Sequence, residues 1–309
     1  MAKVAFIFPG QGAQAVGMGK AVFERFEEAR AVFDAADKAL QQPLSKLCFE
    51  GPEEELKLTA NTQPALLATS IALLRALGES CDIAAGHSLG EYSAHVAAGT
   101  LAFEQAVQLV QKRGRFMQEA VPVGKGAMAA ILGGHREAIE RACEETEGVV
   151  QPVNYNCPGQ IVIAGESDAV ERAKARISAL GTKIRSLQVS APFHCELMKP
   201  AEDRLRPYLE KAFFSDPRIP VVVNTDAEPV HTKERARDAL IRQVSSPVLW
   251  QQSVEKMLKE GVKLFVEIGP GGVLSGMIAR IDKQVERVRV ESPDDFGPAR
   301  EAILRARSE

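Results

Sequence analysis

Residues 3–8 read Lys-Val-Ala-Phe-Ile-Phe, an apolar run that halts at Pro9-Gly10. A run this short and continuous predicts a strand buried on both faces rather than a helix. ALLATSIALLRALG at 65–78 instead repeats its apolar residues at helical spacing and ends on glycine, which predicts a helix with its stop signal. CDIAA at 81–85 is again short and apolar, and Gly86-His87-Ser88-Leu89-Gly90 and the helical segment YSAHVAAG follow it. PVVVNT (220–225), KLFVEIG (263–269) and ERVRVES (286–292) predict further strands separated by helical stretches. Strands alternating with helices in this way imply an α/β fold, a mainly parallel sheet with helices on both faces.

The rhythm changes between 124 and 190. GAMAAILGG, HREAIERACEETEG, VVQPVNYNCPGQIVIAGE, DAVERAKARISALG and TKIRSLQVS predict strand, helix, two strands, helix and strand. That order is the βαββαβ, ferredoxin-like unit. Strand-forming segments of the larger body lie before and after it. Residues 1–123 and 191–309 are therefore expected to form one large domain into which 124–190 is inserted as a small one. The Pro/Gly turns at 121–126 and 191–192 are the expected hinges. A cleft between two such lobes is a preferred ligand site.

Length and composition narrow the function classes. A chain of 309 residues can bury a large core as one big domain or two moderate ones. No apolar run approaches the ~18 residues of a membrane span, and a net charge of −3 argues against a general nucleic-acid binder. The five cysteines, Cys48, Cys81, Cys143, Cys157 and Cys195, are odd in number and lack C-x-x-C spacing. Neither a disulfide framework nor a metal site is expected, and a reducing cytoplasm fits best. The N-terminal apolar stretch runs into Pro-Gly-Gln-Gly rather than a small-residue cleavage site, so it reads as a strand and not a leader.

The stretch at 86–90 carries two meanings. Gly-x-Ser-x-Gly after a strand and before a helix is the pattern that exposes a serine nucleophile on a sharp turn. Ser88-Leu89-Gly90-Glu91 is equally a Ser-x-x-Glu capping box with no chemistry attached. A nucleophile needs a base, and the chain has five histidines. His87 is adjacent to Ser88 and diverges from it on a sharp turn. His95 lies seven residues along the predicted helix, about 10 Å away at 1.5 Å per residue. His135 opens a helix of the inserted lobe, and His231 sits in a charged turn. His194, in SAPFHCEL, remains by elimination, although a buried structural histidine is an equal alternative from the residues alone. For the group that orients a base, Glu267 at the end of KLFVEIG and a backbone carbonyl both stay open.

Taken together, seven segments resemble one family. FPGQGAQ (8–14), TQPALLATS (62–70), GHSLGEYSA (86–94), KRGRFMQEAVP (112–122), NYNCPGQIVIAG (154–165), APFHCELM (191–198) and FVEIGPGGVLSG (265–276) resemble, in order and over nearly the whole chain, the malonyl-CoA:acyl carrier protein transacylases. The resemblance implies an α/β-hydrolase-like large domain with a ferredoxin-like small one. It implies malonyl transfer from malonyl-CoA to acyl carrier protein through an ester on Ser88, with His194 as base. It further implies backbone N–H donors at Gln11 and Leu89 for the oxyanion, Arg113 as partner of the malonyl carboxylate, and Gln63 in the same pocket. Leu249, before Trp250, stands where many members carry glutamine, and its backbone carbonyl is expected to hold the base.

Arg113 sits in QKRGRF, which alone reads as a solvated helix face. Malonyl differs from acetyl by one carboxylate, however, and a permanently charged bidentate partner is what discriminates that difference. Residues 170–187 carry five basic side chains against one acidic, so this patch, with Lys183 and Arg185, is an expected dock for an acidic carrier. No cofactor beyond the CoA substrate is expected, and the chain is expected to act as a monomer. A serine thioesterase or hydrolase, which would share Ser88 and His194 but has no need of Arg113, is the alternative activity.

Overall fold

The computed structural model describes residues 2–187, 189 and 191–308. The last predicted strand of the 124–190 segment ran to Ser190; of it, Gln188 and Ser190 lie outside the described residues. Two sheets organise the chain. The larger contains β1 (Lys3–Phe8), β2 (Ile83–Gly86), β7 (Val221–Val222), β8 (Pro229–Val230), β9 (Val262–Ile268) and β10 (Glu286–Val290) in the order β10-β9-β1-β2-β7-β8. All neighbours are parallel except β7 and β8. β1 is fully covered from Val4 to Phe8, which explains why its sequence shows no alternation.

The smaller sheet contains β3 (Gly126–Leu132), β4 (Val150–Cys157), β5 (Gln160–Glu166) and β6 (Lys183–Ser186), antiparallel in the order β4-β5-β3-β6. Helices Arg136–Glu144 and Ser167–Ser178 follow β3 and β5 and share with the sheet an apolar cluster that includes Ile131, Ile139, Ile163, Val170 and Ile177. The two chain crossings between the sheets touch each other, since a Cβ on Gly126 would lie 2.3 Å from the Pro192 ring.

A third contact joins the sheets along the open edge of β4. Tyr155 N–H donates to the Val248 carbonyl at 2.9 Å and Val248 N–H to the Val153 carbonyl at 2.8 Å. These bonds occupy a strand edge that would otherwise stand unpaired.

Two predicted elements differ in extent. The helix expected at 65–78 is Thr59–Leu77: it starts six residues earlier and runs through Pro64, its sixth residue, which forgoes the N–H that would reach the Ala60 carbonyl. The strand expected at 220–225 pairs only at Val221–Val222; Asn224 and Thr225 leave the ladder, and Asn224 turns into the site described next.

Candidate active site

Strands β1, β2 and β7 all end on one edge of the larger sheet, and each is followed by a residue of the site: Gln11, Ser88 and Asn224. The carboxyl ends of parallel strands, where the order reverses between β9-β1 and β1-β2, are where such sheets place their ligands. Ser88 occupies the turn between β2 and the helix Gly90–Ala97 with φ of +52°. A side chain in that left-handed conformation is strained and needs outside support. Asn224 supplies it on one side, accepting from Ser88 N–H at 2.7 Å while its Nδ2 donates to the Gly86 carbonyl at 2.7 Å. Gln243 supplies it on the other, where its Nε2 donates to the Ser88 carbonyl at 2.9 Å. Both flanking glycines are sterically required. A Cβ on Gly86 would stand 2.0 Å from the Gly90 carbonyl carbon, and one on Gly90 would stand 2.0 Å from the Phe8 oxygen.

The capping-box alternative does not form. The N-cap position belongs to Leu89 and has no side-chain cap. The Ser88 hydroxyl lies 2.6 Å from His194 Nε2 instead. His194 Nδ1 lies 2.9 Å from the Gln243 carbonyl oxygen. An oxygen of that kind can only accept, so Nδ1 carries the proton and Nε2 is left as an acceptor facing the hydroxyl. Burial, reinforced by the Arg113 charge, pushes the His194 imidazole down to about 3. It is therefore neutral at physiological pH and free to take a proton.

The carbonyl that holds His194 corrects the expectation for Leu249. Leu249 starts the helix Trp250–Lys259, and its oxygen is occupied by Ser253 N–H at 2.9 Å and Ser253 Oγ at 2.8 Å. Gln243, at the end of the helix Lys233–Arg242, performs that contact. Glu267 is not an orienting group either. Its two oxygens accept from Leu274 N–H at 3.0 Å and Ser275 N–H at 2.7 Å, capping the helix Val273–Ile281.

Arg113 leaves the solvated helix face that its neighbours Lys112 and Arg115 suggested: it is 1% exposed. Its Nη1 donates to Gln63 Oε1 at 2.9 Å, and its Nη2 donates to Gln243 Oε1 at 2.9 Å and to Ser88 Oγ at 3.1 Å. Nε has no acceptor among the described residues. A cavity of about 120 Å³ opens beside these groups, lined among others by Gln11, Leu89, Met128 of the small sheet and Phe193. Among the described residues, neither the Gln11 nor the Leu89 backbone N–H meets an acceptor in the protein. Both are open to an oxyanion in the cavity. His87 also lines it, with Nε2 2.9 Å from Asn156 Oδ1.

Sequence reasoning missed Gln243 and Asn224. Neither residue type announces chemistry, and only the fold carries them to the serine turn. Glu91, noticed only as a capping partner, is also in the network, accepting from Asn224 N–H at 2.7 Å and Gln243 Nε2 at 3.0 Å. Among the described residues no group of three His, Cys, Asp or Glu side chains is gathered as a metal site requires.

A hydroxyl paired with a neutral imidazole, free amides and a buried guanidinium form the equipment of acyl transfer. The comparisons agree on the class: residues 5–292 match the family model described as acyl transferase domain. Within that class the chain belongs to the malonyl CoA-acyl carrier protein transacylase family. It is 48% identical over 301 residues to the Bacillus subtilis malonyl CoA-acyl carrier protein transacylase, covering 95% of each chain. A Vibrio cholerae acyl carrier protein S-malonyltransferase superposes with a TM-score of 0.94 at 46% identity, over 96% of this chain and 100% of that one. A malonyl-transacylase in complex with its type II PKS acyl-carrier protein gives a TM-score of 0.95 at 45% identity, over 97% and 100%.

Proposed function

We propose that this acyltransferase moves a malonyl group from malonyl-CoA to the phosphopantetheine thiol of an acyl carrier protein, supplying fatty-acid synthesis, and that Ser88 carries the group as an ester in between. The observation that bears most of this reading is a buried guanidinium, held through both Nη groups and 3.1 Å from the Ser88 hydroxyl. A thioesterase has no use for a cation there, whereas the free carboxylate of malonate needs one.

The steps follow from the geometry. His194 Nε2 takes the Ser88 proton, and the oxygen attacks the thioester carbon while the Gln11 and Leu89 amides receive the negative charge. The C–S bond breaks, CoA leaves as the thiol with the proton from His194, and malonyl-Ser88 remains. The carrier's thiol then gives its proton to His194, attacks the ester, and Ser88 recovers its proton. Arg113 holds the carboxylate throughout. Burial is the main reason that the His194 proton affinity is low; a bound carboxylate partly neutralises Arg113 and so relieves the lesser, electrostatic part. Gln63 keeps the guanidinium in place.

The finer architecture belongs to the same reading: an α/β-hydrolase-like large domain of residues 1–123 and 191–309, carrying a ferredoxin-like small domain of 124–190. The βαββαβ element order and the β4-β5-β3-β6 strand order support the latter. An acidic carrier would dock on the small domain near Lys183 and Arg185. These two are exposed on β6 and unpaired among the described residues, while Lys174 and Arg176 are held by Glu171 and Glu145. No helix among the described residues is long and apolar enough to cross a membrane. The same reading has the protein act as a monomer in the cytoplasm.

The test is intact mass. Mixing with malonyl-CoA should add one malonyl group, Ser88→Ala should abolish the adduct, and added carrier protein should remove it from the enzyme and gain it. Loss of the adduct as free malonate without a gain on the carrier would mean a hydrolase and end the proposal.

A further inference from the structure

The helix that follows the Ser88 turn buries a carboxyl side chain for which the transfer steps have no use. Glu91 is 0% exposed. Its Oε2 accepts from Asn224 N–H at 2.7 Å and from Gln243 Nε2 at 3.0 Å, and its Oε1 meets no hydrogen-bond partner among the described residues. His95 Nε2 lies 3.8 Å from Oε1, beyond hydrogen-bonding reach. Both partners of Oε2 are N–H donors, the kind of hydrogen bond that a carboxylate oxygen accepts. Arg113 is buried to the same degree, at 1% exposed, and its guanidinium stays charged. One amide lies between them. Gln243 turns its Nε2 to Glu91 and its Oε1 to Arg113 Nη2, so its dipole runs from the carboxylate to the guanidinium.

We infer that Glu91 is a positioning residue whose charge is the resident counter-charge of Arg113, and that it limits how tightly the site grips the substrate carboxylate. The inference rests on the malonyl reading above. A carboxylate reaching Arg113 meets a cation that Glu91 has already partly balanced, so the acyl group binds in the correct orientation yet is released to the carrier. Without that charge the guanidinium would bind malonyl more tightly, and its unbalanced field would weaken His194 as a base.

Glu91→Gln isolates the charge. A carbonyl in the place of Oε2 keeps both hydrogen bonds, and the amide nitrogen takes the place of Oε1, which has no partner to lose. In steady-state assays this variant should show a KM for malonyl-CoA about three- to tenfold lower, a lower kcat and an unchanged KM for acetyl-CoA. A merely structural role would instead damage both substrates alike. In the Arg113→Gln background the same substitution should no longer shift the malonyl-CoA KM. An unchanged or raised malonyl-CoA KM in folded Glu91→Gln overturns the inference, as does a fall that persists without Arg113. If Glu91→Gln does not fold, removing both charges in Glu91→Gln/Arg113→Gln should restore folding, and failure of the double variant also overturns it. Absence of a malonyl adduct on the unsubstituted protein overturns the malonyl reading and this inference with it; a normal adduct with an unmoved KM overturns the inference alone.

Discussion

Replacing Arg113 by alanine separates a substrate-selecting arginine from a structural one. The guanidinium is 1% exposed and already fixed by Gln63 and Gln243, each at 2.9 Å, so a carboxylate that binds it in bidentate fashion has only to replace the Ser88 hydroxyl on Nη2. Hydrogen bonds to charged groups contribute about 1.5–3 kcal/mol each, and a bidentate contact, less the cost of stripping water from the carboxylate, about 2–4 kcal/mol. That range converts to about a 30- to 1000-fold loss in kcat/KM for malonyl-CoA. Alanine also strips a donor from the Gln63 and Gln243 oxygens, which burdens every substrate. Acetyl-CoA therefore serves as the internal control, since it shares the thioester and the structural damage but lacks the carboxylate. Measured side by side with the same carrier protein, the preference for malonyl over acetyl should collapse. Equal fold losses for the two thioesters would refute the reasoning, because the arginine would then be supporting Ser88 and Gln243 rather than reading the substrate.

Ser88→Ala should lower turnover by on the order of 10⁴ or more while leaving the melting temperature close to that of the parent, and near-normal transfer would exclude the ester intermediate. The His194 imidazole is lowered in the fold to about 3 from an ordinary value near 6.5. Below that ordinary value the unfolded chain takes up a proton that the fold refuses, so this group's stabilisation is complete above pH 6.5 and is lost as pH falls toward 3. The kcat/KM profile should accordingly show no inflection near pH 6.5, and unfolding of His194→Ala should depend less on pH in that window than unfolding of the parent. Gly90→Ala, with its methyl 2.0 Å from the Phe8 oxygen, should cost at least about 3 kcal/mol by denaturant unfolding, and a cost under 1 kcal/mol would disprove the close approach. Reversing Lys183 and Arg185 to glutamate should raise the KM for the carrier protein and spare that for malonyl-CoA, and an unchanged carrier KM would remove the docking patch.

The parts of this molecule that were readable in its sequence are those governed by local physics. β1 is Lys3–Phe8 as its pattern predicts, because a strand covered on both faces must be apolar throughout. The serine turn was visible since two glycines are sterically compelled on either side of it. What escaped were contacts made by the ends of elements. Gln243 closes a helix that looks ordinary in sequence, and its carbonyl reaches His194 only because the chain folds back there. Leu249 was placed in that role through its neighbour Trp250, yet a residue that begins a helix spends its carbonyl within the first turn. Arg113 was recoverable only through resemblance, as its basic neighbours pointed outward.

The backbone bonds between β4 and Val248 have a consequence for how this enzyme can diverge. The stretch 243–249 grips the imidazole at one end and the edge of the small sheet at the other. The lobe proposed to face the carrier is therefore not a detachable cassette: exchanging it for that of a relative would transplant half of a seam whose other half sets the proton acceptor. Adaptation to new carriers is easiest on β6, the far edge of that sheet, where side chains can change while the seam stays closed.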